Sequence, residues 1–319
     1  MKVAKRRRKY DPLKDGITQS LLSRFLSCRY ATMLYLQRLS VIGTKDTLLF
    51  GNMVHGILDA MNKFAMDTDL RKMLKKERYQ ELLRIGRKAL RQANDKYVGT
   101  ALDPQTFKNF TGQFGLMLPR YLKHREDGIR ICDYDYSKRD IIASEEEFDV
   151  DFHGYKLRGK LDRAFEHGRE LWIGETKTKG QISDEELENA LLVDLQIKFY
   201  LTAAELHFNK LPEGVLYNII RRPNYKVMKN FKDKLASEPE HFFTRYEVTF
   251  TRSEIQKFQE ELRLMLEEFV QWAEGDLPTY KNYKSCLGKR FNCDYLRLCA
   301  TGDKSLYYTR DELFSELAS

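Results

Sequence analysis

Glu175 and Lys177 stand two residues apart in Gly174-Glu-Thr-Lys177, a spacing that gives them a common face if the stretch is extended, because side chains at i and i+2 of a strand point the same way. Asp162 lies upstream in Arg158-Gly-Lys-Leu-Asp162, on what would be the partner strand of the same hairpin. Two carboxylates can hold a hard divalent cation through oxygen. The cation stabilises charge on a phosphate and acidifies a bound water, and an ammonium can orient that water. Asp162, Glu175 and Lys177 are therefore candidates for phosphodiester hydrolysis, with the backbone carbonyl of Thr176 as a further metal ligand. A Glu-x-Lys strand on its own is a weak signal, and its plainer reading is a surface strand with cross-strand ion pairs.

The elements that would carry these residues are legible around them. Tyr155, Leu157 and Leu161 alternate with Lys156, Arg158 and Lys160, the period of a half-buried strand, and His167-Gly168 marks a turn into a return strand with Leu171, Ile173, Glu175 and Lys177 on one face. Ile141–Phe152 reads as a preceding strand entering through His153-Gly154, which makes three antiparallel strands in sequence. A capping box at Ser183-Asp-Glu-Glu186 opens a helix with an apolar stripe at Leu187, Leu191, Leu195 and Phe199 that continues to about Phe208. Gln196 and Tyr200, four apart, share a face of that helix. Gly214–Ile220 reads as a strand made parallel by the helical crossover, Phe242–Phe250 as a last strand, and Thr251-Arg-Ser-Glu254 as the cap of a helix reaching about Trp272. Between them the basic stretch Arg221–Lys234 is either a solvated excursion or a patch that follows a phosphate backbone, with Arg221, Arg222 and Lys226 as its candidates.

Upstream, Thr18–Leu39 reads as helix with Cys28 inside it or at a break, and Leu48–Phe64 as a helix whose buried stripe is Val54, Ile57, Leu58 and Met61, with His55 beside it. A lone histidine there is more often a hydrogen-bonded helix residue than a ligand. Helical segments follow at about Leu70–Tyr97 and Pro104–His124, the second opened by Asp103-Pro104. Met1–Lys9 is a basic run with nothing to bury, and residues 1–17 are expected to form a flexible tail.

A chain of 319 residues with 42% hydrophobic and 32% charged residues is long enough to bury a sizeable core. Its net charge of +8 favours an acidic partner, of which a polyphosphate backbone is the commonest. No apolar run approaches the roughly 20 residues of a membrane helix, and no apolar segment follows the basic N-terminus as in a signal peptide, so a reducing, cytoplasmic setting is expected. In such a setting Cys286, Cys293 and Cys299, spaced C-x6-C-x5-C, suggest metal binding or buried thiols, and Cys28 could be a fourth ligand.

The segments GNMVHGILD with His55, RGKLDR with Asp162, GETK with Glu175 and Lys177, and LQIKFY with Gln196 and Tyr200 occur in the order of the motifs of RecB-like nucleases of the PD-(D/E)XK superfamily, which this chain resembles. The remote cysteine and C-terminal trio resemble the iron-sulfur subgroup, which includes CRISPR-associated RecB-like exonucleases. Cys286 and Cys293 are farther apart than is usual there, with Gly288-Lys289-Arg290 as a loop to absorb the difference. The resemblance implies Mg²⁺ or Mn²⁺ held by His55, Asp162, Glu175 and the Thr176 carbonyl, the imidazole favouring manganese. It implies that Lys177 prepares the water, that Gln196 and Tyr200 hold the phosphate or support the catalytic face, and that Cys28, Cys286, Cys293 and Cys299 bind a [4Fe-4S] cluster, leaving Cys132 without a part. The implied activity is a single-strand DNA exonuclease, commonly running 5′ to 3′, on DNA that is single-stranded or has free ends, in recombination, repair or end processing. The implied fold is α/β: a central mixed sheet with an α-β-β-β-α-β core, a helical insertion at about 65–140 and a cluster-bearing segment at 276–300, in one elaborated domain spanning 18–319. A non-catalytic subunit that binds DNA ends and an RNA-directed nuclease stay open as alternatives.

Overall fold

The computed structural model describes residues 10–43, 45–123, 125–126, 129–130, 136, 140–180, 184–222, 230–288, 292–314 and 317. The basic run Met1–Lys9, Cys132, the Ser183 cap, Lys226 and Lys289-Arg290 lie outside them.

Residues 10–17, which fall inside the tail expected over residues 1–17, are folded. Asp11 caps a helical turn at Pro12–Asp15, the Tyr10 ring packs edge-on against Phe269 and Phe314, and Ile17 is fully buried. Tyr10, Pro12 and Ile17 supply apolar side chains that anchor this stretch. Strand β1 (Ile17–Thr18) leads into α1 (Gln19–Ser27), whose first turn is capped by the Thr18 hydroxyl. At Cys28 the backbone is extended, and α2 (Arg29–Leu36) starts immediately after it, so the cysteine sits at a break. Then come β2 (Leu39–Val41), the long α3 (Asp46–Asp67), α4 (Lys75–Tyr97) and α5 (Pro104–Tyr121), the last capped by Asp103 as its sequence predicts.

Strands β3 (Asp140–Phe152), β4 (Tyr155–His167) and β5 (Glu170–Lys179) follow as an antiparallel series. His153 and Gly154 both have positive φ, the backbone of the tight turn whose twist matches the flanking strands. The second turn falls one residue later than the sequence suggests, on Gly168-Arg169, since His167 still pairs with Glu170. The helix expected to run unbroken to Phe208 is two: α6 (Asp184–Leu192) and α7 (Leu195–Phe208). Asp194 interrupts them, because its carboxylate accepts from the Gln196 and Ile197 amides and starts a new first turn. The crossover makes β6 (Gly214–Arg221) parallel to β5, and after α8 (Phe231–Ser237) the edge strand β7 (Phe243–Thr249) is antiparallel to β6. Helix α9 (Arg252–Glu274) opens with the expected Thr251/Glu254 capping box, and α10 (Leu296–Thr301) precedes β8 (Tyr307–Thr309), which pairs with β2.

The result is a mixed α/β fold around a six-stranded sheet, ordered β1-β4-β5-β6-β7 with β3 on the other edge of β4, and flanked by helices. Strand β6 shows how the faces are divided: Val215, Tyr217 and Ile219 enter a core with α1, α7 and α9, whereas Leu216 and Ile220 enter a second core with α3 and α5. No helix among the described residues is long and apolar enough to cross a membrane.

Candidate active site

The site forms where two strands part. Pairing of β4 with β5 runs from His167↔Glu170 to Arg163↔Gly174 and stops there, so Asp162 and Glu175 are the first residues beyond the last rung. The amide of Thr176, released from the ladder, donates to Asp162 Oδ2 at 2.7 Å. Past this fork β5 pairs with β6 alone, and Glu175 and Lys177 keep the face of Leu171 and Ile173 by the period of two. From the opposite face α3 delivers His55, whose Nδ1 lies 3.3 Å from Asp162 Oδ1 and 3.6 Å from Glu145 Oε1.

Each carboxylate uses one oxygen for positioning. Glu175 Oε1 receives Lys177 Nζ at 2.5 Å and Gln196 Nε2 at 3.0 Å, while Oε2 of this side chain, 3% exposed, is buried with no hydrogen-bond partner. Asp162 gives Oδ2 to Thr176 and turns Oδ1 to His55. The buried Oε2 of Glu175 is thus an oxygen left over for a cation, although Glu175 is not among the side chains whose donor atoms meet around His55; carboxylate oxygens suit Mg²⁺ or Mn²⁺, and an imidazole nitrogen favours Mn²⁺. Donor atoms of His55, Glu145 and Asp162 all lie within 4.8 Å of one another.

The charges interlock. Burial pushes the Glu175 carboxyl up, the Asp162 carboxylate adds to this, and Lys177 opposes it, leaving a pKa of about 7. For His55 burial alone would lower the pKa, but Asp162 and Glu145 outweigh it and raise it to about 10. Burial works against ionised Asp162, yet His55 and Lys177 hold its carboxyl below the ordinary range. Lys177, despite its burial, is kept charged by Glu175 and Asp162.

Gln196, in the first turn of α7, is thus bonded to the Glu175 carboxylate; Tyr200, one turn on, packs edge-on against Phe148 and interacts with Gln196 through its hydroxyl. Thr176 meets the site through its amide, and its hydroxyl accepts from Asn218 Nδ2 at 3.4 Å. Arg221 and Arg222 end β6; Arg221 stands opposite Lys179 in the register, two residues beyond the level of Lys177, and the Arg222 guanidinium lies over the Phe110 ring.

Of the cysteines, Cys28, Cys286 and Cys293 approach one another, but no cysteine joins a group of three or more donors within 4.8 Å of one another among the described residues. Cys28 Sγ accepts from the Asn282 amide at 3.4 Å, and the Cys293 amide donates to the Cys286 carbonyl at 3.0 Å, closing a loop bridged at Leu287↔Asn292. Burial raises the Cys293 thiol pKa, with Cys28 and Cys286 close enough to add to it. Cys299 lies on α10, its carbonyl receiving Lys281 Nζ at 3.1 Å.

Glu145 is the residue that the sequence does not reveal. Ser144-Glu-Glu-Glu147 reads as a solvated strand edge, and the only sign in the sequence is that four polar residues interrupt the alternation of β3. A register shift between Ile141 and Ala143 and a φ of 49° at Glu145 turn its carboxylate to His55.

A mixed sheet that opens over a buried Glu and a partly buried Asp and Lys, with an imidazole brought in from a flanking helix, has the groups to hold a divalent cation beside a phosphate ester. The family model of the PD-(D/E)XK nuclease superfamily matches residues 17–300, and the chain belongs to that superfamily. Membership implies a metal-dependent hydrolase acting on nucleic acid. No curated protein matches the chain significantly.

Proposed function

We propose that this protein is a RecB-like nuclease of the iron-sulfur subgroup, a Mn²⁺- or Mg²⁺-dependent exonuclease that acts on single-stranded DNA from 5′ to 3′. The observation that carries the reading is the meeting of His55, from a helix, with Asp162 at the fork that also exposes Glu175 to Lys177. Asp162 Oδ1 and His55 Nδ1, which face each other at 3.3 Å, and Glu175 Oε2, which has no hydrogen-bond partner, are the atoms that would hold the cation, with the Thr176 carbonyl. When bound, the cation supplies charge stabilisation at the scissile phosphate and makes a water more acidic. Lys177, fixed by Glu175, orients the attacking water, and its retained positive charge favours the developing negative charge at phosphorus. Gln196 fixes the Glu175 rotamer from α7.

Cys28, Cys286, Cys293 and Cys299 are the proposed ligands of a [4Fe-4S] cluster. Support comes from the approach of Cys28 to the segment holding Cys286 and Cys293, and thiol sulfur is the donor that such a cluster takes. Arg221 and Arg222 would guide the DNA backbone past the fork, a role Lys226 would share.

The test is end-labelled single- and double-stranded DNA and RNA incubated with the purified protein and Mn²⁺ or Mg²⁺. Stepwise shortening of single-stranded DNA from its 5′ end is expected. Internal cuts, cleavage confined to RNA, or tight DNA binding with no cleavage under either metal would each overturn it, the last in favour of a subunit that only binds DNA ends.

A further inference from the structure

We propose that Glu145 is a further side-chain ligand of the divalent cation, held in place by its neighbour Ser144, whose hydroxyl is latched onto α3. The inference rests on the metal-dependent reading above and adds a residue to it.

In a regular strand Glu145 would belong to an acidic outer edge. Its φ of 49° is a backbone that L side chains rarely adopt, and it occurs inside β3 opposite Asp162, two residues after the irregular pairing ends at Ala143. The conformation is held from α3: Ser144 Oγ donates to Asp59 Oδ1 at 2.9 Å and receives Asn62 Nδ2 at 3.2 Å, and the Tyr136 hydroxyl donates to Asn62 Oδ1 at 3.1 Å. Asp59 and Asn62 lie one and two turns along the helix that carries His55, so one element fixes both the imidazole and the backbone that aims Glu145 at it.

A cross-strand ion pair is the simpler use of Glu145, since Lys160 Nζ lies 2.7 Å from its Oε2. The register argues for more. Glu147 stands directly opposite Lys160, yet the ammonium reaches past it to Glu145. That contact takes Oε2 and leaves Oε1 facing His55. Independently, donor atoms of Glu145, His55 and Asp162 all lie within 4.8 Å of one another, and at the same fork the buried Oε2 of Glu175 has no hydrogen-bond partner, an oxygen left over for a cation. Three carboxylates with one imidazole make a harder, more anionic site than the two carboxylates recognised in the sequence, and Lys160 offsets the added charge.

The experiment is Mn²⁺ binding by the full chain, measured by calorimetry and by the rise in unfolding temperature with added Mn²⁺, for wild type, Glu145→Gln, Lys160→Gln and Asp162→Asn. Glu145→Gln is expected to weaken Mn²⁺ binding about tenfold or more, and Lys160→Gln to leave it unchanged or tighter, because an ion-pair role would make the two substitutions equivalent whereas a ligand role would not. Wild-type Mn²⁺ affinity in Glu145→Gln, with binding lost in Asp162→Asn, overturns this proposal alone. Absence of Mn²⁺ binding in wild type overturns it together with the metal-dependent reading. Should Glu145→Gln not fold, Lys160→Gln decides: weakened Mn²⁺ binding there overturns the ligand role, and unchanged or tighter binding supports it.

Discussion

The fork between β4 and β5 and the seam joining the two ends of the chain both collect side chains able to bind metal, and they hold them by different means. At the fork His55, Glu145, Asp162 and Glu175 project from one helix and three strands, and His55, Lys160 and Lys177 neutralise the carboxylates. At the seam Cys28 sits at a helix break, Cys286 ends a short helical turn and Cys293 lies in a loop, so three of the four thiols come from irregular backbone. The seam is closed instead by groups around the cysteines: the β2–β8 ladder, the Tyr295 hydroxyl on the Leu39 carbonyl, and buried Arg310 reaching the Tyr35 carbonyl. The fork is held by its own charges, whereas order at the seam rests on these neighbours.

The largest effect expected from this difference is loss of chemistry without loss of fold. Asp162→Asn, Glu175→Gln and Lys177→Met should each lower cleavage by about a hundredfold or more. The unfolding temperature should stay near wild type, and Glu175→Gln should equal or exceed it, because a buried carboxylate pushed up by burial and by Asp162 is replaced by a neutral amide. Nuclease assays beside thermal unfolding check this; wild-type cleavage in either carboxylate variant would remove the fork from the mechanism.

Much of the fork is written locally, which is why sequence reasoning reaches it. The hairpin, the Glu-x-Lys face, the Thr251/Glu254 box and the Asp103-Pro104 start all depend on residues within a few positions of one another. What escapes is set by distant contacts. The orientation of Glu145 depends on a bulge and on Asp59 and Asn62, more than 80 residues away. Strands β1 and β8 are too short to carry a period, and Asp194 looks like one more polar residue in a helix until its carboxylate is seen to take two amides.

The seam gives the next effect in size. Cys28→Ala should lower the unfolding temperature by several degrees, as should Cys286→Ala, Cys293→Ala and Cys299→Ala, since a ligand joining the chain ends restrains almost the whole unfolded chain. Iron and acid-labile sulfide should fall with it. The β2–β8 ladder and Arg310 should nonetheless keep the ends docked, so faster proteolysis near the termini is expected rather than global unfolding. Zinc without sulfide in wild type would replace the cluster and leave the nuclease reading intact; Cys28→Ala with full iron content would break the ligand assignment.

Acidity separates the regions more finely. His55 at about 10 and Glu175 at about 7 both bind protons more tightly folded than unfolded. The stabilisation from His55 is complete below its unfolded value near 6.5 and is lost as pH rises through about 10, while Glu175 costs stability progressively between about 4.5 and 7. Lowered Asp162 and Glu145 act oppositely, their contribution being lost as pH falls below the usual carboxylate range. The metal-free protein should therefore lose stability from neutral to alkaline pH. A cation held as proposed by His55 and Glu175 would displace their protons, so Mn²⁺ affinity should rise roughly tenfold per pH unit for each proton released. Calorimetry at pH 6, 7 and 8 in buffers of different ionisation enthalpy counts those protons; a flat affinity would mean that neither group is a ligand.

The smallest effect is expected at Arg221 and Arg222. They end β6 at the level of Lys179, about 7 Å of strand beyond Lys177, which suits a backbone leaving the fork better than a group at the reacting phosphate. Arg222 also rests on Phe110, and its burial lowers its pKa, so part of its role is packing. Arg221→Ala and Arg222→Ala should weaken DNA binding a few-fold each and reduce the slope of log affinity against log salt by about 1 per lost phosphate contact. Cleavage at saturating DNA should be unchanged. A fall in saturating rate with no change in salt slope would move both arginines into the reaction, and with them the boundary of the fork to the far end of β6.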